Sequence, residues 1–506
     1  MYDVVIVGAG LAGLTAGAKL AKEGKRVCVL EKHARPGGCA TTYRRKRFEV
    51  EVSLHMVDGF DDLDCKGPIL EDLGVLDDLE FVSVPRSLYR FAHGDRDLEM
   101  PFGLEAAIEA LSERFPEDHK RIRRVLRRMS KVRRELSSFP YSPKAVSRRV
   151  PFFPFLYPNF LFAMRGSLGD YLDRSLRSEE LKLALSGDLA FFHDDPYTIS
   201  AKFFGVAQAA FLEAGACYLK GGSQRLSNRL RDVIEANGGE VRLRHRVTRL
   251  VTERGRVSAV EFEHGSAARR REGRVEGRQV LANAAVPQVL DELLAPDADR
   301  GLRRRVGRMK VASSVSVLHV GFSKPLRELG SRHYTTMAFD PSVQTLRDVA
   351  PNARGPWERR TLGFTDYSQL DSGLAPEGKS LAAVCAIDYM DDWAGLSDAA
   401  YEAKKAEVTD VLLDRVEALV PGSRQHVEFA ELGTPRTVHH YTLNTGGSIG
   451  GYVQSPRNSL LRRFFRVRSS LRNLHFAGAW QFPGGGYTCA MLGGYLQGVH
   501  LLESRL

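Results

Sequence analysis

The sequence predicts an α/β protein built on a Rossmann-like dinucleotide-binding domain that is discontinuous in the chain, with an α+β substrate-binding domain inserted into it. Three observations carry this. The chain opens on an apolar strand that runs into Gly8-Ala9-Gly10-Leu11-Ala12-Gly13. It closes on a second glycine-rich stretch, Phe476 to Thr488, that leads into a helix from about Ala490. Its 506 residues exceed what one hydrophobic core ordinarily supports.

The elements follow in order. Tyr2 to Val7 is a continuous Val- and Ile-rich run, the pattern of a parallel strand buried on both faces. A glycine turn, a helix from about Leu11 to Glu23 stopped by Gly24, and a strand from Arg26 to Leu30 complete a βαβ unit. Gly8 permits the tight turn, Gly10 lets the backbone approach a pyrophosphate, and Gly13 allows close helix–strand packing. The free N–H groups and dipole of the helix N-terminus favour the phosphates. Glu31 ends the second strand, where a carboxylate accepts ribose hydroxyls. This unit alone does not separate FAD from NAD.

Leu104 to Leu136 reads as helical, with Ile122, Val125, Leu126, Met129, Val132 and Leu136 on one face and a dense set of Arg and Lys on the others. Val150 to Met164 is aromatic and interrupted by Pro151, Pro154 and Pro158, which excludes one long helix. A helix over Gly221 to Ala236, a strand at Val241 to Leu243, a hairpin around Glu253-Arg254-Gly255 and a strand at Val280 to Ala284 follow. Strands at Ser313 to Phe322 and Leu381 to Ile387 belong to a second sheet, and Ala400 to Leu419 is a helix. The dinucleotide domain then takes residues 1–90, 215–290 and 465–506. The substrate-binding and membrane-associating domain takes 91–214 and 291–464.

After the acid-ended strand comes Arg35-Pro36-Gly37-Gly38-Cys39-Ala40-Thr41-Thr42, and here the chain resembles the flavin amine oxidase and phytoene desaturase superfamily. In that superfamily a Gly-Gly loop lies along the pyrophosphate and flavin. Arg47 to His55 is similar to the segment that passes in front of the flavin. Tyr218 to Leu226 is similar to a Gly-Gly segment entering a long helix, Val247 matches an adenine-side position, and Leu281-Ala282-Asn283-Ala284 resembles the strand returning to the substrate lobe. Phe476 to Thr488 looks like the C-terminal flavin motif. The resemblance decides for FAD and implies contacts from Gly8, Gly10, Leu11, Ala12, Gly13, Glu31, Lys32, Gly37, Gly38, Cys39, Thr41, Val247, Asn283, Gly478, Ala479, Gly485, Gly486, Tyr487 and Thr488.

The nearest branch by motif is that of phytoene desaturases, carotenoid isomerases and retinol saturases, with Pro483-Gly484-Gly485-Gly486 its most distinctive piece. It implies an FAD-dependent oxidoreductase that desaturates or isomerises double bonds in a long apolar polyene. An amine oxidase is the alternative on the same fold, with Trp480 and Tyr487 as part of an aromatic cage. A flavin-free prenyl-lipid binding protein is the third reading, and the intact glycine set argues against it. Two departures stand out. Glu51 and Ser53 occupy positions where the family more often has Asp and Gly, so a Ser53 side chain either crowds the flavin face or offers it a hydrogen-bond donor. Gly478 is followed by Ala479-Trp480, with no acid. His55, the candidate catalytic residue, is either an acid–base group beside the flavin or a satisfied structural histidine.

The formal charge of +11 points to a polyanionic partner or to solubility alone. The basic helix and Phe152, Phe153, Phe155 and Phe162 form either a docking surface for an anionic membrane or a solvated face beside pocket-lining aromatics. No nucleic-acid motif accompanies the charge, so no nucleic acid is expected. Six scattered cysteines fit a reduced compartment and suggest no metal site. A strand beginning at Tyr2 leaves no space for a signal peptide, and no apolar run is long enough to span a bilayer. The expected location is the cytoplasm, with peripheral attachment to the inner face of the membrane as a further option. A second G-x-G-x-x-G is lacking, so no NAD(P)H domain is expected and the electron acceptor stays open.

Overall fold

Tyr2–Val7, which ends in an unbroken Val and Ile run, takes the centre of a five-stranded parallel sheet in a computed structural model that describes residues 1–140, 143–265, 269–459 and 466–504. The strand order is Glu240–Leu243, Val27–Glu31, Tyr2–Val7, Gly277–Ala282, Leu474–Phe476, and every pairing is parallel. Val4 and Ile6 are fully buried against helices on one face of this sheet, and Val5 against the antiparallel strands His245–Glu253, Arg256–His264 and Arg271–Val275 on the other. The helix Leu11–Lys22 has no polar stripe: 11 of its 12 residues are buried. It is wedged between the sheet and the helices Gln224–Ala236 and Tyr487–Glu503. Chain connections leave the first strand toward opposite sides, which opens a crevice at its C-terminal end, the place where open α/β sheets bind ligands.

The second sheet has seven strands in the order Val427–Gly433, Ser314–Phe322, Ser380–Asp388, Leu362–Asp366, Thr335–Phe339, Ser87–His93, Arg96–Pro101. All its pairings are antiparallel except Thr335–Phe339 with Ser87–His93. The two-residue period of a strand separates its faces. Leu318, Val320, Val384 and Phe364 pack against Val408, Leu412 and Val416 of the helix Asp398–Leu419. Val315, Val317, Gly363, Cys385 and Ile387 face a large internal cavity. A helical layer covers that cavity, built from Leu104–Arg114, His119–Ser137, Ala201–Ala214 and several short helices.

Four expectations shift. The helix over Leu104 to Leu136 is two helices, because Pro116 cannot donate an N–H to the ladder and drives Phe115 out of helical geometry (φ −128°, ψ 67°). The hairpin around Gly255 gains a third strand, Arg271–Val275. The last helix begins at Tyr487, three residues before the expected start, so Tyr487 and Thr488 lie in its first turn. The domain boundary expected between residues 90 and 91 falls inside the strand Ser87–His93, which pairs with the substrate-side sheet; a boundary before Ser87 keeps that strand whole. The boundary at 464 and 465 lies outside the described residues. The aromatic stretch forms three short helical segments at Val150–Phe152, Phe153–Leu156 and Pro158–Phe162.

Candidate active site

The first strand delivers Gly8 to the crevice with φ +96°, where an added Cβ would stand 2.5 Å from the Asn283 carbonyl oxygen. Gly10 caps the following helix and no side chain caps it in turn, so the first-turn N–H groups are open to a ligand. Gly13 serves packing instead: its Cβ would lie 2.4 Å from the Gly8 carbonyl oxygen, under the turn. The second glycine loop is tied to the first, since the Gly37 N–H donates to the Ala9 carbonyl at 2.7 Å. Glu31 braces the turn by accepting from the Ala9 N–H and the His33 N–H, each at 2.7 Å, one per carboxylate oxygen. Asn283 Nδ2 donates to the Gly8 carbonyl at 3.2 Å, and Lys32 Nζ donates to the His440 carbonyl at 2.6 Å.

The chain's other end meets this cradle. Gly478, Ala479, Gly485, Gly486, Tyr487 and Thr488 line the same cavity of 1050 Å³ as Gly8, Gly10, Gly37, Gly38 and Val247. The helix Tyr487–Glu503 starts at Gly486 without a side-chain cap, so a second helix N-terminus opens on the cavity. Thr488 Oγ1 donates to Asp58 Oδ1 at 2.9 Å. Asp58 in turn meets Lys66 Nζ at 3.1 Å, and Lys66 meets Asp64 at 2.7 Å. Every residue expected at the cofactor lines this cavity except Gly13 and Thr41. The Thr41 hydroxyl turns away to Gln224 Oε1, which corrects its expected contact: the chain leaves the cavity wall after Ala40, and the helix Gln224–Ala236 takes the hydroxyl. Two uncapped helix N-termini, a glycine-lined backbone path and an acid at the end of the second strand fit FAD.

Ser53 has neither a free donor nor a free position. Its hydroxyl donates to the Cys39 carbonyl at 2.9 Å and lies 3.1 Å from the Tyr487 hydroxyl, joining the Gly38-Cys39 loop to the last helix. Glu51 is fully buried and gathers the Ser223 N–H and hydroxyl, both at 2.7 Å, with the Leu54 N–H at 3.1 Å. Burial raises its pKa above the usual carboxylate value against these donors. Glu51 thereby fixes the segment that presents His55.

His55 lines the cavity between two partners that sequence reasoning misses. Nδ1 lies 3.0 Å from the Tyr367 hydroxyl, and Nε2 lies 3.0 Å from Cys385 Sγ. The single Tyr367 proton goes to the Leu54 carbonyl at 3.0 Å, so Nδ1 must be the donor and Nε2 the acceptor. The imidazole is held as one neutral tautomer with its lone pair toward the Cys385 thiol and the cavity. Burial pushes its pKa down to about 4, aided by His319, and burial pushes the Cys385 thiol up to about 12. Asp188 is a second missed group. It lies in the cavity wall, burial pushes its carboxyl up to about 7, and the Gln208 amide nitrogen, oriented to satisfy both groups, donates to it at 2.8 and 3.2 Å. A neutral imidazole and a carboxyl that titrates near neutrality can exchange protons with a bound molecule.

Trp480 and Tyr487 both line the cavity, and Trp480 is held there by two contacts. Its indole N–H donates to Asn444 at 2.9 Å and its ring packs edge-on against Tyr452. Beyond His55 the cavity is walled by Phe191, Phe192, Phe203, Phe211 and Val206 and reaches Leu136, Phe139, Val150 and Phe153 of the helical layer.

His55 and His319 both have pKa values pushed down to about 4 by burial, against an ordinary 6.5. The unfolded chain therefore binds more protons than the folded one between these limits. Their contribution to stability is complete above pH 6.5 and is lost as pH falls toward 4. Denaturant midpoints measured from pH 7.5 to 4.5 are expected to fall, and the double change His55→Gln, His319→Gln is expected to flatten that slope; an unchanged slope would refute it.

A parallel sheet whose two glycine-rich turns converge on one cleft, continued by an apolar chamber, defines a dinucleotide-binding flavoprotein. Residues 11–500 match the family of flavin containing amine oxidoreductases, and the chain belongs to that family. It is an FAD-dependent oxidoreductase. It is 24% identical to a chloroplastic prolycopene isomerase of Daucus carota, over 98% of this chain and 79% of the relative. It is 25% identical to a 4,4'-diapophytoene desaturase of Methylomonas sp, over 96% and 92%. Cyclohexylamine oxidase from Brevibacterium oxydans shares the fold, with a TM-score of 0.64 at 17% identity, over 99% of this chain and 98% of that one.

Proposed function

We propose that this protein desaturates or isomerises a long apolar polyene drawn from a membrane. The observation that carries the reading is the continuity of the cavity, which joins the dinucleotide cradle to a chamber walled by phenylalanine and valine and ends among the helices of the aromatic stretch. Such a chamber has little polar surface to recognise an amine, and it suits a chain of conjugated carbons. The relatives named for prolycopene and diapophytoene chemistry support the same substrate class.

FAD, when bound, supplies a two-electron hydride acceptor or donor. The protein's own residues do the rest. The apolar walls exclude water and align the substrate past His55. The neutral His55 Nε2, or the Asp188 carboxyl, takes or returns the proton that must move when a double bond forms or shifts. Tyr367 and Cys385 keep the imidazole in the tautomer that leaves Nε2 as acceptor.

The cavity mouth supports peripheral attachment. No helix among the described residues is long and apolar enough to cross a membrane. Val150, Phe152, Phe155 and Phe162 are 52%, 59%, 84% and 56% exposed on the short helices beside the cavity. Large apolar side chains grouped in this way, flanked by a basic helix, suit the interface of an anionic bilayer.

The deciding experiment is anaerobic. The purified holoprotein is mixed with polyenes in vesicles and with a panel of primary amines and polyamines, and the flavin spectrum is followed. Bleaching by a polyene, or isomer change only with pre-reduced enzyme, is expected; bleaching by amines alone would overturn the reading.

A further inference from the structure

A second cleft lies on the outside of the helical layer, on the far side of the aromatic stretch from the cavity. Arg121, Arg124 and Arg128 project along one face of the helix His119–Ser137 at i, i+3 and i+7, and Arg165 and Arg174 meet them from the opposite wall. Arg121 is paired with Asp118 at 3.4 Å, and that carboxylate also accepts from the N–H groups of Arg177 and Ser178. The other four guanidiniums have no carboxylate within 4.0 Å among the described residues. Arg174 donates to the Arg165 carbonyl at 2.8 Å, and Arg165 stacks on the exposed Phe162 ring at 5.4 Å.

Crowding so many cations costs Coulomb energy unless an anion joins them. The Tyr171 side chain supplies an independent sign of a ligand. It is only 4% exposed, and its hydroxyl lies beside the Arg128 guanidinium and the Ser175 hydroxyl without reaching full hydrogen-bond geometry to either. A buried hydroxyl left without a partner forfeits about 1–3 kcal/mol, so a missing acceptor is expected there. Planar guanidiniums with a hydroxyl among them match a phosphate group.

We propose that this cleft binds the phosphate of an anionic phospholipid headgroup. The inference rests on the membrane-facing reading above and deepens it: Phe162 belongs both to the exposed apolar patch and to the cleft rim, so a headgroup held by the arginines lies where an acyl chain reaches the patch. A lipid anchored there turns the cavity mouth toward the bilayer.

The test is flotation of holoprotein with phosphatidylcholine vesicles, with or without phosphatidylglycerol. The pair Arg124→Glu, Arg128→Glu is expected to lose about tenfold more partition to the anionic vesicles than Lys120→Glu, Arg123→Glu, which makes the same charge change on a different face of the same helix, outside the cleft. Tyr171→Phe, which changes no charge and keeps the ring packing, is expected to lose about threefold on anionic vesicles and nothing on neutral ones. Retained flavin absorbance shows that each variant is folded. Equal losses for both charge-reversal pairs with no effect of Tyr171→Phe would overturn the cleft while leaving the membrane reading intact. Loss confined to Phe152→Ser, Phe155→Ser and Phe162→Ser would do the same. Full displacement from vesicles by millimolar inorganic phosphate would assign the cleft to a free anion and overturn the lipid. Absence of any vesicle binding by the unaltered protein would overturn both readings together.

Discussion

Gly8→Ala is expected to purify colourless, with FAD affinity lowered about 100-fold or more, equivalent to roughly 3 kcal/mol. Two costs combine at this position. The backbone sits at φ +96°, which an L side chain rarely adopts, and the new Cβ would press to 2.5 Å from the Asn283 carbonyl oxygen. The backbone must shift, and it cannot shift alone. Ala9 is bound to Glu31, Gly37 is bound to Ala9, and Asn283 is bound to Gly8, so the whole phosphate cradle moves with it. Gly24→Ala isolates the strain. Gly24 also has positive φ, +76°, but its Cβ would meet nothing within 4 Å and it lies after the helix, away from the cavity. That variant is expected to retain yellow protein and to lose only about 1 kcal/mol of stability. The flavin-to-protein absorbance ratio and a titration of apoprotein with FAD distinguish them; equal retention by both variants would refute the cradle argument.

The contrast explains which parts of the site are legible in the sequence. Gly8, Gly10, Gly37 and Gly38 are readable because the backbone itself demands them: positive φ and close approach leave a residue-type signature at fixed spacing. Glu31 is readable for the same reason, as the end of an apolar run of known length. His55 is readable only by position. Its chemistry depends on Tyr367 and Cys385, which lie 312 and 330 residues further along and reach it through the folding of the seven-stranded sheet. A cysteine in a buried strand looks like any small apolar residue in sequence. Asp188 is hidden in the same way, since its raised pKa comes from burial that no local pattern announces. Thr41 shows the opposite failure: the motif around it lines the cavity through Gly37, Gly38, Cys39 and Ala40, but Gln224, 183 residues further along, takes its hydroxyl. A boundary between residues 90 and 91 splits the strand Ser87–His93, whose hydrogen bonds and apolar face join it whole to the second sheet.

The same long-range logic makes Lys66 the most consequential residue without a sequence signature. Its ammonium is 1% exposed and bonds to Asp58 at 3.1 Å, Asp64 at 2.7 Å and the Gly59 carbonyl at 2.8 Å, with the Phe60 ring 4.6 Å away. Burial alone would lower its pKa, but the two carboxylates outweigh it and raise the pKa above the ordinary lysine value. Lys66→Met keeps the volume and removes the charge, which leaves two buried carboxylates facing each other without a cation. The expected cost is about 3–5 kcal/mol, read as a lowered denaturant midpoint. Asp58 also accepts from Thr488 in the first turn of the last helix, so repulsion at Asp58 is transmitted to the helix N-terminus that faces the flavin site. Weaker FAD retention is therefore expected alongside the loss of stability. Adding Asp64→Asn to Lys66→Met removes one of the opposed charges while leaving Asp58 and Thr488 in place, and it is expected to recover part of both losses. A double variant no more stable than Lys66→Met would show that packing around the lysine stem, rather than its charge, holds this corner of the cavity together.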